Sequence, residues 1–115
     1  MTYDTPRQFV RVEKSIDFEY TVEGSPFKAR VTDLSEGGAF VDATYPQGVG
    51  ARLAFRFRLP DGSEPIAGNA EVIWAQEMLG MGIRFLDLTE EQTERLRFFV
   101  GSVYFDFGLD ELPDP

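Results

Sequence analysis

The chain of 115 residues contains neither cysteine nor histidine. Without cysteine it has no disulfide framework, no thiolate nucleophile and no zinc-thiolate site. Without histidine it lacks the commonest general base and the commonest transition-metal ligand, which excludes Ser-His-Asp and Cys-His catalysis. Long apolar runs are missing as well, because none approaches the length of a membrane span and the first residues have no signal-peptide core. These absences predict a cytoplasmic protein that has no metal site and does not insert into a membrane. Paired carboxylates or a lysine could still perform catalysis, but this would need a positioned pair, and no catalytic residue is expected.

Positive charge is also scarce, since 11 lysines and arginines face 20 acids and the net charge is −9. Broad binding to DNA, RNA or an anionic membrane needs a cationic face, so these partners are disfavoured. The charge is unevenly distributed. Residues 87–115 carry eight acids against two arginines, whereas residues 1–14 carry three cations against two acids. An anionic ligand is therefore expected to bind near the N-terminal end.

Apolar residues recur in short segments with the period of β-strands. Residues 16–22 and 53–59 alternate strictly between apolar and polar side chains, which is typical of half-buried strands. Further strands are predicted at residues 27–32, 39–43, 66–76 and 81–85, separated by glycine, proline and polar residues. Six short strands at this spacing predict an antiparallel barrel or sandwich.

The period changes at Thr89, which matches a capping box with Gln92. The next two acids, Glu90 and Glu91, suit the positive end of a helix dipole better than they suit a catalytic pair. An apolar stripe follows at helical spacing: Leu96, Phe99, Val100 and Val103. The sequence therefore predicts one C-terminal helix that packs against the strands.

More aromatic residues lie near this helix than its stripe requires, namely Phe98, Tyr104, Phe105 and Phe107. They are either additional core contacts or an exposed patch for a partner protein or a second copy. The acidic, proline-ended segment 106–115 is expected to lie beyond the helix. A monomer and a homodimer both remain possible.

Two short motifs carry the chemistry of the chain. Arg7 and Arg11 offer two planar guanidinium groups that suit phosphate oxygens and the O6/N7 edge of guanine. Asp33 can accept hydrogen bonds from the N1–H and N2–H groups of guanine, while Ser35 adds an adaptable hydroxyl group. Gly38 would allow a ligand to approach the backbone closely and tolerates a positive φ. Together these residues are complementary to a guanine base joined to phosphate.

At these positions the sequence resembles the PilZ family, whose members are bacterial receptors for the second messenger cyclic di-GMP. That family is marked by Arg-x-x-x-Arg and, about twenty residues later, by Asp/Asn-x-Ser-x-x-Gly. Arg7 and Arg11, followed by Asp33, Ser35 and Gly38, match both motifs completely. An arginine pair alone would be a weak signal, whereas the two motifs at this separation are a strong one.

The resemblance extends beyond the motifs to the alternating strands, the late strand at residues 80–85 and the closing helix. It covers about residues 6–104 and implies a mainly β fold, a six-stranded antiparallel barrel with a C-terminal α-helix. Residues 1–14 are expected to form a flexible N-terminal arm. Residues 15–105 are expected to form the barrel and its helix, and residues 106–115 an acidic tail.

The resemblance also implies a role for each motif residue. Arg7 and Arg11 would clamp phosphate and the Hoogsteen edge of guanine, and Asp33 would bind the amine edge of the base. Ser35 and Gly38 would shape the loop around base and phosphate. Binding would close the N-terminal arm over the barrel and change the surface offered to an unidentified downstream protein, in motility, biofilm or exopolysaccharide control. No cofactor is expected apart from this ligand.

Three further residues are less strongly indicated. In some relatives, aromatic or basic residues on the late strands touch the ligand, which makes Trp74 and Arg84 tentative contacts. For Trp74 the sequence alone favours packing in the core or at the barrel rim over contact with a ligand. Some relatives carry an arginine immediately before the first motif and bind an intercalated ligand dimer. Here that position is Pro6, which favours one ligand per chain.

Each motif also has an interpretation without a ligand. Arg7 and Arg11 could be solvated charges or could pair with Asp4 and Glu13, and the loop that begins at Asp33 could be a simple Asx turn. For the whole chain, an adaptor that docks on a motility or secretion component without nucleotide is the alternative to a receptor. A hydrolase of the same nucleotide is disfavoured by the absence of histidine and of an obvious metal-ligand cluster.

Overall fold

The computed structural model describes residues 15–60 and 62–106, with side chains in the helix described as far as residue 101. Six strands precede one helix: β1 (Ile16–Val22), β2 (Ser25–Leu34), β3 (Gly38–Asp42), β4 (Arg52–Phe57), β5 (Ile66–Gln76), β6 (Gly80–Phe85) and α1 (Glu90–Asp106). The ends of every predicted strand lie within two residues of the observed ends. The helix extends one residue further than predicted, to Asp106.

All strand pairs are antiparallel, and they close into a barrel in the order β1-β2-β3-β6-β5-β4. Closure comes from β1 and β4, where Phe18 lies opposite Phe57. The turn between β1 and β2 contains only Glu23 and Gly24, whose φ angles of 51° and 85° suit a two-residue hairpin. The mainly β fold with a six-stranded barrel and a closing helix is confirmed, and closure leaves no exposed sheet edge.

The inner faces of β1 and β4 supply much of the core. Along both strands buried and exposed residues alternate, as the sequence predicts. Phe18 is fully buried, and its ring stacks on Phe55 with centroids 5.8 Å apart. Burying a side chain of this size contributes roughly 1.5–3 kcal/mol. These two strands thus form a regular, strongly stabilising wall.

Two β-bulges interrupt the alternation elsewhere, between Val31 and Asp33 in β2 and between Val72 and Trp74 in β5. Residues two positions apart in an uninterrupted strand point to the same face. Without the bulges, Asp33 would therefore point inward with Val31, and Trp74 would point inward with Val72. The extra residue in each strand instead turns Asp33 and Trp74 to the outer surface, where Trp74 is 43% exposed and Asp33 is half-buried. Leu34 then takes the buried position in β2.

Helix α1 closes one end of the barrel. The backbone N–H of Gln92 donates to Thr89 Oγ1 and the backbone N–H of Thr89 donates to Gln92 Oε1, both at 3.1 Å, which confirms the predicted capping box. Three members of the predicted stripe are buried: Leu96, Phe99 and Val100. The helix is also fastened by the Arg95 guanidinium, which donates to Ser63 Oγ at 2.9 Å. The helix therefore packs on the core through its apolar face, and the cap fixes where it begins.

Several predicted features lie outside the described part of the chain. They are the N-terminal arm with Arg7 and Arg11, and residues 107–115 of the tail, including Phe107. The side chains of Val103, Tyr104 and Phe105 are likewise outside it. Phe98 is described, and it is largely exposed rather than part of the core.

Candidate ligand-binding groove

A groove of about 600 Å³ lies on the outer surface where the loop after β2 meets strands β3, β6 and β5. We call it the outer groove. All of the predicted ligand residues within the described chain line it: Asp33, Ser35, Gly38, Trp74 and Arg84. Arg7 and Arg11 belong to the undescribed arm. The structure thus brings the second motif together with the two tentative contacts from the late strands.

Asp33 lies on β2 rather than in the loop, which corrects the sequence-based placement. The bulge after Val31 lets the pairing with β3 continue, so that Asp33 lies opposite Phe40 and the connecting loop is only residues 35–37. A residue on a paired strand has a better-defined backbone than one in a free loop. The carboxylate is therefore anchored at the rim of the outer groove by the barrel itself.

Ser35 shapes the loop through its own hydrogen bonds. Its backbone N–H donates to the carbonyl of Gly38 at 2.9 Å, and Oγ accepts from the N–H groups of Gly37 at 3.2 Å and Gly38 at 3.3 Å. Only 9% of the residue is exposed. The hydroxyl group thus makes side-chain-to-backbone bonds of the kind found in such turns, and it gives the loop a defined shape without a ligand.

Gly38 is required by packing between strands. It begins β3 opposite Arg84, and a Cβ atom at this position would lie 2.1 Å from the carbonyl oxygen of Ile83. Its φ is not positive, because the described glycines with positive φ lie elsewhere. The fold itself therefore demands this glycine, a reason that the sequence argument about ligand approach had not included.

The apolar wall of the outer groove is an aromatic pair. Phe40 on β3 and Trp74 on β5 both lie opposite Gly82 on β6, and their ring centroids are 5.8 Å apart at 45°. Trp74 is thus neither in the barrel core nor alone at the rim. The neighbouring Ile73 is 53% exposed in the same wall. Large, accessible ring faces of this kind can stack on a planar base.

Sequence reasoning missed Phe40 and Ile73 as parts of this wall. The available signal was the run Val72-Ile73-Trp74, in which three apolar residues follow one another without alternation. Such a run is compatible with a bulge that turns two successive side chains outward. Periodicity alone does not distinguish it from a strand buried on both faces.

Arg84 supplies the positive charge of the groove, and this charge is already paired. Its guanidinium lies 2.7 Å from Glu71 Oε1, and the two residues are opposite each other on β6 and β5. An anionic group entering the outer groove would therefore meet an arginine that Glu71 orients and partly neutralises. The described residues contain no group of three or more acidic side chains able to hold a metal ion.

The outer groove combines a carboxylate and a shaped polar loop at one side with an aromatic wall and a paired arginine at the other. This arrangement suits a planar heterocycle with hydrogen-bond donors on its edge. The fold and groove together define a small closed β-barrel domain with a groove on its outer surface. The sequence matches the PilZ domain over residues 5–102, and the chain therefore belongs to the PilZ domain family.

Solved structures with the same fold agree with this assignment. The Bacillus subtilis inhibitor of motility (MotI/DgrA) superposes with a TM-score of 0.78 at 19% identity, covering 89% of this chain and 53% of that one. YcgR from Escherichia coli in complex with c-di-GMP gives 0.72 at 18% identity, covering 88% and 47%. The PilZ domain of YcgR with c-di-GMP gives 0.68 at 19%, covering 94% and 100%.

The chain spans about half the length of the first two of these structures and the whole of the third. At such identities the likeness establishes the shared barrel fold. A comparison with curated proteins found no match. Among the helices of the described chain, none has the length and hydropathy needed to cross a membrane.

Proposed function

We propose that this PilZ domain binds cyclic di-GMP in the outer groove and acts as a non-enzymatic receptor that signals to another protein. The observation that carries the proposal is that Asp33, Ser35, Gly38, Trp74 and Arg84 line one groove. Family membership adds support. So do the two structural relatives named above that were determined with c-di-GMP.

The groove chemistry suits one guanine base and its phosphate. The Asp33 carboxylate accepts hydrogen bonds from the N1–H and N2–H groups, which an arginine could not do because it has no acceptor. The base stacks against the Phe40–Trp74 wall, and stacking on an aromatic side chain contributes about 1–3 kcal/mol per base. Arg84 faces the phosphate or the O6/N7 edge of the second base.

Arg7 and Arg11 complete the site in this proposal. Strand β1 begins at Ile16, which pairs with Val31 only two residues before Asp33. Five extended residues span at most about 17 Å, so Arg11 is tethered within reach of the outer groove. The arginines clamp the ligand, and the N-terminal arm changes position as it binds.

Local arginines have to overcome the net charge of the whole protein. The ligand carries two negative charges and the chain has a net charge of −9, so the long-range field opposes association. Attraction over a few ångströms by Arg7 and Arg11 is weakened by salt, because the screening length is about 8 Å at physiological ionic strength. Affinity is therefore expected to fall as the salt concentration rises.

Calorimetric titration with cyclic di-GMP tests the proposal. Arg7→Ala and Arg11→Ala should each weaken binding about tenfold or more, because hydrogen bonds between charged groups contribute roughly 1.5–3 kcal/mol. Arg56→Ala is the matched control, since this arginine is exposed on the outer face of β4, away from the outer groove. Binding by both motif variants with the affinity of the parent would show that the site assignment is wrong.

A ligand-independent adaptor is the second candidate, and one surface favours it. Tyr45, Met78 and Leu79 are largely exposed at the end of the barrel opposite helix α1, where the Met78 N–H donates to the Thr44 carbonyl at 2.7 Å. One structural relative is named as an inhibitor of motility. Capture of a motility or secretion component in equal amounts with and without cyclic di-GMP, together with no measurable nucleotide binding, would favour the adaptor.

A further inference from the structure

The loop of the outer groove is joined to the C-terminal helix by one ion pair. Glu36 lies between Ser35 and Gly37, which both line the groove, but Glu36 itself does not line it. Its carboxylate Oε1 instead accepts a hydrogen bond from Nε of Arg97 in α1 at 2.9 Å. The Glu36 side chain is 20% exposed and that of Arg97 58%, so the pair is partly sheltered from water.

The helix offers a fixed anchor for this contact. Arg97 follows Leu96 directly and precedes Val100 by three residues, and both of these apolar side chains are buried. On the other side of the pair, the loop is held to β6 by the Phe85 N–H, which donates to the carbonyl of Gly37 at 3.0 Å. Glu36 thus connects helix α1 to the short loop that shapes the groove.

We propose that Glu36 and Arg97 are positioning residues for the nucleotide loop, so that the docking of helix α1 and the affinity for ligand are linked. The inference rests on the proposed function, because it concerns the same groove. Loss of the ion pair frees Glu36 and removes one restraint on the loop, so that the adjacent amides of Gly37 and Gly38, still bonded to Ser35 Oγ, are less firmly positioned. Linkage between two sites is reciprocal, so occupation of the groove also tightens the docking of the helix.

The Glu36→Gln variant separates this role from a simple effect of charge. If Glu36 acted only through its electric field, removal of a negative charge near an anionic ligand would strengthen binding. The positioning role requires the opposite, a weaker complex. Arg97→Gln should weaken binding under either account, so the sign of the effect at Glu36 decides between them.

We expect calorimetry with cyclic di-GMP to give about two- to fivefold weaker binding for Glu36→Gln and for Arg97→Gln, the size of one partly exposed ion pair. The double variant should be no weaker than the more affected single variant, since both remove the same contact. The exchanged pair, Glu36→Arg with Arg97→Glu, should recover part of the loss. Glu94→Gln, exposed on the same helix, controls for a charge change and should bind like the parent.

Hydrogen exchange in the free protein gives a second readout that needs no ligand. Both single variants should speed exchange of the Gly37 and Gly38 amides, whereas Glu94→Gln should not. Parent-like or tighter binding by Glu36→Gln, or unchanged exchange at both amides, would overturn the inference. A parent that binds no cyclic di-GMP but whose variants show faster loop exchange would refute the proposed function and leave the positioning role supported.

Discussion

Strands β1 and β4 alternate without interruption, whereas β2 and β5 each contain a bulge, and the outer surfaces of these two regions differ accordingly. The outer face of the regular pair carries charged side chains of opposite sign, with Glu19 opposite Arg56. In the outer groove they are largely apolar, and the charge of Arg84 is partly neutralised by Glu71. Regular strands thus give a solvated wall, while the bulged strands give the outer groove.

The difference has a simple geometric origin. An extra residue in a strand reverses which side chains face inward, and it does so without breaking the barrel. In this protein the two reversals bring Asp33 and Trp74 to the same outer surface. Substitutions in β1 and β4 should therefore mainly change the free energy of unfolding, whereas substitutions in the outer groove should mainly change the affinity for ligand.

Phe18→Ala should have the largest effect on folding, because it empties a fully buried position in the regular wall. The expected loss in the free energy of unfolding is about 3–5 kcal/mol, measured by chemical denaturation. A loss below about 1 kcal/mol would contradict the assignment of β1 and β4 as the main source of stability.

Trp74→Ala should have the converse effect. Its ring is partly exposed and packs against Phe40, so the free energy of unfolding should fall by only about 1 kcal/mol. Affinity for cyclic di-GMP should fall by about five- to a hundredfold, the contribution of one stacked base. Trp74→Phe keeps a ring at this position and should retain most of the affinity. Equal affinity of the alanine variant and the parent would show that the Phe40–Trp74 wall does not contact the ligand.

Asp87→Asn should have the smallest effect, and one that depends on pH. The pKa of Asp87 lies below its ordinary value because its carboxylate accepts two hydrogen bonds from Asn69. The larger contribution comes from the side-chain amide of Asn69 and the smaller from its backbone N–H, and both bonds are 2.7 Å long. Because the folded-state pKa is lowered, the associated stability is present above the pKa of the unfolded chain and is lost as pH falls through the folded-state value.

The melting temperatures of parent and Asp87→Asn should therefore differ most near neutral pH and converge in acid. Thermal denaturation at several pH values between about 7 and 3 measures this difference. A difference that grows on acidification would contradict the role assigned to the contact between Asp87 and Asn69.

Much of the barrel was predictable because its regular strands carry an unbroken two-residue period. Residues 16–22 match the observed strand end to end, and the cap formed by Thr89 and Gln92 lies where the sequence places it. Residues 66–76 also match an observed strand end to end, although this strand contains a bulge. These features depend on neighbours close in sequence. The prediction that Arg7 and Arg11 bind the ligand remains untested, since both lie outside the described residues.

The rest depends on contacts between residues distant in sequence. The bulge in β5 reverses the side of the sheet to which Trp74 points, and nothing in the amino-acid composition of the strand marks it. The two-residue period of apolar side chains therefore could not predict that Trp74 is exposed. The need for glycine at position 38 arises from the carbonyl of Ile83 on another strand. The ion pair between Glu36 and Arg97 joins residues 61 positions apart, and no local sequence pattern predicts a contact at that separation.

Trp74 is the only tryptophan in the chain and lines the outer groove, so its fluorescence reports directly on this site. Titration of the parent protein with cyclic di-GMP should change the emission in a saturable way, with the same Kd that calorimetry gives. Ligand binding detected by calorimetry with no change in Trp74 emission would contradict binding in the groove. The absence of binding by both methods would contradict the proposed receptor itself.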